Sequence, residues 1–157
     1  MTYVQIKQSK TNSVRKRIFD IIVAGILLCL LSPFFIIIAL AIKIESKGPV
    51  FYVAKRSGRK GVAFDLYKFR SMIINADSLK ENMRCRSEVD GPIFKIRKDQ
   101  RITKLGQFLR KYSLDELPQL FNVLKGDMSL VGPRPFPVNE SEKIAYRHIP
   151  RLNIRPG

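Results

Sequence analysis

The run IIVAGILLCLLSPFFIIIALAI, residues 21–42, contains no charged residue. As a helix rising about 1.5 Å per residue, its 22 residues reach roughly 33 Å, about the thickness of a bilayer's hydrocarbon core. A helix buried inside so small a soluble domain is rarely apolar on every face, so the run predicts membrane insertion. Two features set it apart from a plain spanning helix. Ser32-Pro33 lies near its centre, where proline removes a backbone donor and kinks a helix, and a serine hydroxyl can bond the freed backbone. Positive charge stands on both flanks, Arg15, Lys16 and Arg17 before it and Lys43 and Lys47 after it. Positive charge marks the cytoplasmic side. Two courses are open on these residues: a re-entrant hairpin that enters and leaves by one face, or a kinked helix that crosses. A cleaved signal peptide is disfavoured, because no small-x-small site follows the run.

The preceding VRKRIFD, residues 14–20, offers cations for anionic headgroups, each worth about 1 kcal/mol near a surface. Asp20 is open to three readings: a partner for one of these cations, a depth marker, or a helix N-terminal acid favoured by the macrodipole.

The 157 residues suffice for one domain with a core, and 29 basic against 13 acidic residues leave a net charge of +16. Such a charge calls for an anionic partner: nucleic acid, an anionic membrane face or a phosphorylated substrate. Nucleic acid is not expected, since the basic residues are spread along the chain and form no known reader motif. Cys29 and Cys85 have no metal-ligand spacing, and His148 is the only histidine, so neither a histidine-based metal site nor a histidine triad is expected.

Past SKGP, residues 46–49, the β-prone runs VFYVAKR and VAFDLYKF flank the basic, glycine-rich SGRKG and predict a hairpin. NADSLKENMR predicts a short helix, and GPIFKI a short strand within the polar stretch 85–100. Ile102, Leu105, Phe108 and Leu109 form one helical stripe, and Leu117, Leu120, Phe121 and Leu124 another, which Gly126 stops. VGPRPFP must be extended, because each proline disfavours helix in the residue before it. ESEKIAYRH predicts a last short helix. The fold expected is α+β and mostly helical. The expected organisation is a disordered N-terminal segment over 1–13, the membrane helix over 14–45, and a small cytoplasmic domain over 46–157 with the hairpin and several amphipathic helices.

Within KYSLDELPQLFNVLKGDMSLVGPRP, residues 111–135, Asp115 and Glu116 are adjacent carboxylates in a basic chain. Ser113-Leu114-Asp115-Glu116 fits a capping box, with Ser113 at the N-cap, Glu116 at N3, and Tyr112 and Leu117 as the hydrophobic staple. Pro118 fits that register poorly, and a helix starting near it would leave the pair on the turn before. Chemistry is the other reading. Arg110 and Lys111 lie just upstream, Arg134 sits in a Pro-Arg-Pro frame, and Lys68 and Arg70 flank a turn after the hairpin. Carboxylates among cations suit Mg²⁺ and phosphate, and a carboxylate can itself be the nucleophile.

KRIFD, the apolar run with its central Ser-Pro, YKFRSM, DQRITKLGQFLRKYSLDELPQLFNVLKGDMSLVGPRP and the final RPG together resemble the bacterial sugar transferases. These are the monotopic phosphoglycosyl transferases, also called polyprenyl-phosphate hexose-1-phosphate transferases. The resemblance covers nearly the whole chain after residue 14. It implies transfer of a sugar-1-phosphate from a UDP-sugar to undecaprenyl (polyprenyl) phosphate with release of UMP. That is the first membrane step of exopolysaccharide, capsule, O-antigen or glycoprotein glycan assembly. It implies a ping-pong path through a phosphosugar–aspartate, with Asp115 the nucleophile close to Mg²⁺ and Glu116 its partner. Lys68, Arg110 and Arg134 match candidate phosphate contacts. The family's membrane helix is re-entrant and broken at a Ser-Pro matching Ser32-Pro33, with the catalytic domain on the cytoplasmic face of the bacterial inner membrane. Family members continue past RPG, so the expectation is a chain incomplete at its C-terminus. The alternative to an active transferase is a non-catalytic, membrane-bound basic module that binds anionic lipid or a partner enzyme.

Overall fold

The computed structural model describes residues 14–76, 99–138 and 152–157. The helix expected at NADSLKENMR lies almost wholly outside them, and the strand expected at GPIFKI, the helix expected at ESEKIAYRH and the N-terminal segment expected to be disordered lie wholly outside. The architecture is α+β. Helix α1 spans Val14–Glu45, strand β1 Phe51–Ser57 and strand β2 Ala63–Phe69, with a tight Arg59–Gly61 turn between the strands. Helix α2 spans Lys104–Lys111, a single turn covers Leu114–Glu116, helix α3 spans Gln119–Lys125, and β3 is Phe136–Pro137. The sheet order is β2-β1-β3. The expected hairpin is present. The two-residue β3 pairs antiparallel with β1, placing Arg56 opposite Pro137 and Ser57 opposite Phe136.

Helix α1 is long and apolar enough to cross a membrane, by length and composition. Ile22, Ile26, Leu30, Phe34, Ile37 and Leu40 are all more than half exposed. Helical backbone continues through Ser32, and Pro33 lies inside the helix. A proline within a helix deletes one hydrogen bond and bends the rod without having to end it.

The chain divides into two compact units. The first comprises Met1–Leu31, Val53–Tyr67 and Gln119–Gly157. Ala24, Phe64, Leu66, Val123 and Met128 form its core, with Leu120, Leu124 and Leu130 packed around them. The alternation of β2 explains Phe64 and Leu66, which point to one face. Asn122 is fully buried. Its Oδ1 accepts from Tyr67 N at 3.0 Å and its Nδ2 donates to Asp65 O at 2.6 Å, so the amide satisfies backbone that would otherwise be orphaned.

Two cations of VRKRIFD turn toward protein. Lys16 Nζ lies 2.8 Å from the buried Asp20 carboxylate and also bonds Ser129 Oγ. Arg17 donates to Val123 O at 2.6 Å and Leu124 O at 2.9 Å, closing the end of α3. Positive charge there complements the helix macrodipole. Gly126, with φ of 99°, supplies the left-handed residue that ends α3, as its position after the apolar stripe suggested.

The second unit comprises Ser32–Tyr52 and Lys68–Pro118. Its core is Ile38, Ile42, Phe69 and Leu109, flanked by Phe35, Val50, Leu105, Leu114 and Leu117. Phe69 carries rings on two sides, Phe35 at 5.2 Å and Phe51 at 5.4 Å between centroids. Thr103 caps α2, accepting from Gly106 N at 2.9 Å. Arg101 is buried, donating to Asp99 and to Ala76 O. Arg70 is also buried, and its guanidinium binds Lys47 O, Ser46 O and Ser46 Oγ just past the end of α1.

Candidate active site

Asp115 and Glu116 sit on the single turn between α2 and α3, in the second unit. The turn is not a capping box. Ser113 has φ 56° and ψ 21°, in the left-handed region, and its side chain makes no cap bond. A capping serine needs extended backbone to aim its hydroxyl at the N3 amide. Here the backbone closes the turn, with Glu116 N donating to Ser113 O at 3.2 Å. Regular helix resumes only at Gln119, after Pro118. This is the register that Pro118 pointed to.

The two carboxylates have different surroundings. Asp115 is 7% exposed. Glu116 is more open and pairs with Lys68, Nζ to Oε1, at 2.5 Å. Burial pushes the Asp115 carboxyl above its ordinary value. The Lys68 charge draws it back, Glu116 raises it, and Arg110 lowers it again. Lys68 comes from β2, where the neighbouring Phe69 is buried on the opposite face. Arg110 comes from the last turn of α2 and donates Nε–H to Ser71 Oγ at 2.8 Å.

Four of the five residues singled out for chemistry thus gather in one unit: Lys68, Arg110, Asp115 and Glu116. Arg134 belongs to the first unit, where it lines a small cleft with Ser57, Gly58, Pro133, Pro135 and Phe136. Gly132 in the same frame packs on the backbone of the final residues, where an added Cβ would lie 2.4 Å from Arg155 O. Close backbone packing and the flanking prolines make the Pro-Arg-Pro segment rigid.

The donor chemistry fits a hard divalent cation. Asp115 and Glu116 are adjacent oxygen donors, and Mg²⁺ takes one or two carboxylates and completes its shell with water and substrate phosphates. No cluster of three His, Cys, Asp or Glu side chains exists among the described residues. Ser71 was not read from the sequence as part of this site; its one signal was proximity to Lys68 in YKFRSM. Arg70, read there among the surrounding cations, instead binds Lys47 O and Ser46 O with its guanidinium.

Residues 11–157 match the family model described as bacterial sugar transferase. The chain belongs to the bacterial sugar transferase family. Among its bacterial sugar transferase relatives is the galactosyl transferase CpsE of Streptococcus agalactiae, 40% identical over all of this chain and 35% of that protein. The undecaprenyl-phosphate galactose phosphotransferase of Salmonella typhimurium is 48% identical over 90% of this chain and 30% of its own length. The UDP-glucose:undecaprenyl-phosphate glucose-1-phosphate transferase of Klebsiella pneumoniae is 42% identical over 93% of this chain and 30% of its own. The chain therefore spans about a third of the length of these relatives.

Proposed function

We propose that this chain catalyses transfer of a sugar-1-phosphate from a UDP-sugar to undecaprenyl phosphate, with Asp115 as the nucleophile. One observation carries the reading: a carboxylate that is nearly buried on a single turn and raised by that burial, with Lys68 and Arg110 close enough to act on it. A carboxylate stripped of water is more basic than one in solvent, which favours its attack on phosphorus. The names of the relatives support the donor and acceptor classes.

In the first half-reaction an Asp115 oxygen attacks the sugar-bearing phosphorus of the donor. The bond to the bridging oxygen breaks, and UMP leaves with the electron pair. The product is a phosphosugar–aspartate. In the second half-reaction an oxygen of undecaprenyl phosphate attacks the same phosphorus, and the Asp115 carboxylate leaves, ready for another cycle. Lys68 and Arg110 supply positive charge where oxygen charge develops, and Arg134 is assigned a phosphate contact as well. Glu116 keeps the Lys68 ammonium in place beside the nucleophile. Asp115, with Glu116 adjacent, would hold Mg²⁺, whose charge when bound offsets that of the donor phosphates.

Helix α1 inserts into the bacterial inner membrane as a re-entrant element, bending at Ser32-Pro33, with the catalytic residues facing the cytoplasm. Positive charge at both flanks and proline near the centre of the apolar run support that course. The product is the first lipid-linked sugar of a surface polysaccharide or glycan. The test is transfer of radiolabelled sugar phosphate to undecaprenyl phosphate in vesicles with magnesium, over a panel of UDP-sugars. Label in the lipid fraction that is lost in Asp115→Asn is the expected result. Equal turnover in Asp115→Asn would remove the assignment.

A further inference from the structure

We propose that Ser71 is a positioning residue that holds the Arg110 guanidinium at the candidate active site; the proposal rests on the transfer reading above. Ser71 is 6% exposed, and its Oγ accepts the Arg110 Nε hydrogen at 2.8 Å. Arg110 stands on an exposed turn of α2, where a long side chain otherwise samples many rotamers. Engaging Nε leaves the terminal nitrogens of the fork to address a phosphate oxygen.

Ser71 can do this because its own backbone is held from two directions. Toward α2, its carbonyl accepts from Thr103 N at 3.2 Å. Gly106 approaches so closely that a Cβ there would lie 2.0 Å from Ser71 O. Toward α1, the preceding Arg70 donates from its backbone to Val50 O at 2.8 Å, and from its guanidinium to Lys47 O at 2.9 Å and to Ser46 O at 2.8 Å. The hydroxyl that receives Arg110 is therefore fixed by the exit of α1 on one side and by the start of α2 on the other. A side chain held this way needs little reordering when an anionic donor arrives.

The test is a double-mutant cycle on the full chain in vesicles, with Ser71→Ala, Arg110→Ala and the pair. UDP-glucose, UDP-galactose and UDP-N-acetylgalactosamine serve as donors, and both turnover and thermal melting are read. Ser71→Ala is expected to raise KM for the donor by about three- to tenfold through misplacement of one contact. The double variant is expected to be no worse than Arg110→Ala. A folding defect alone would lower apparent kcat with the active fraction and leave KM unmoved. A wild-type KM in Ser71→Ala, or losses that multiply in the double variant, would overturn the proposal. If the wild-type chain transfers from none of these donors, the functional reading fails, and the melting cycle judges the contact by itself. Non-additive melting shifts then uphold the Ser71–Arg110 tie, and additive ones overturn it.

Discussion

Lys68 Nζ donates to Glu116 Oε1 at 2.5 Å, so the cation that most lowers the Asp115 carboxyl is anchored by the carboxylate next to Asp115 in sequence. The pair divides the labour of the Asp-Glu dyad. Glu116 faces the ammonium, and Asp115 stays nearly buried.

Lys68→Met removes the charge that draws the Asp115 carboxyl down and leaves Glu116 uncompensated beside it. Loss of one preorganised charge contact costs roughly 10²–10³ in rate. The ion pair is partly solvated, so stability should change by only about 1 kcal/mol. Parallel turnover and thermal melts check both, and a large fall in melting temperature would make Lys68 structural.

Asp115→Asn is expected to abolish transfer and to leave the protein at least as stable at pH 7. The folded-state carboxyl lies above its unfolded value. Its stabilising contribution is present below the unfolded pKa of about 3.9 and is lost as pH rises through the folded pKa. At neutral pH the ionised Asp115 therefore costs stability, and asparagine relieves that cost. The gap between the two proteins should close on acidification toward pH 4, as followed by melting temperature across pH.

The Asp99–Arg101 pair carries the opposite sign. A side-chain hydrogen bond from Arg101 holds the Asp99 carboxyl below its ordinary value. That stability is present above the unfolded pKa of about 3.9 and is lost as pH falls through the lower folded one. Asp99→Asn leaves a buried guanidinium without its counter-charge and should destabilise the fold by about 3–5 kcal/mol. Urea titration measures it.

Arg17→Ala should cost about 1–2 kcal/mol, because two carbonyls at the end of α3 lose a charged donor. Arg15→Ala, on an exposed residue, should leave stability unchanged. Comparing the two variants in urea separates capping of α3 from headgroup binding.

The elements whose pattern is local were legible in the sequence. β1 and β2 follow from β-prone runs around a glycine-rich turn, and α2 and α3 from apolar residues at helical spacing. Pro118 already argued that helix begins after the dyad. What was hidden depends on distant partners. A non-glycine residue with positive φ is rare, and nothing in YSLDE marks Ser113 for it. Arg17 looked like a headgroup ligand because its partner, the end of α3, lies more than 100 residues away in sequence. The pairing of Lys16 with Asp20 was among the readings of Asp20, but the Lys16 bond to distant Ser129 was not. Two-residue β3 is too short to leave an alternating pattern. Ser71 had no signal of its own, since a serine after a strand usually means only a turn.

On the proposed mechanism, Asp115 carries the phosphosugar between donor and acceptor. Incubation of the chain with a UDP-sugar and magnesium, without undecaprenyl phosphate, followed by acid quench and peptide mass spectrometry, tests it directly. UMP release stoichiometric with enzyme is expected, with a sugar-phosphate adduct on the peptide containing Asp115 that is absent in Asp115→Asn. UMP release that requires the acceptor, with no adduct formed at any time, would contradict it.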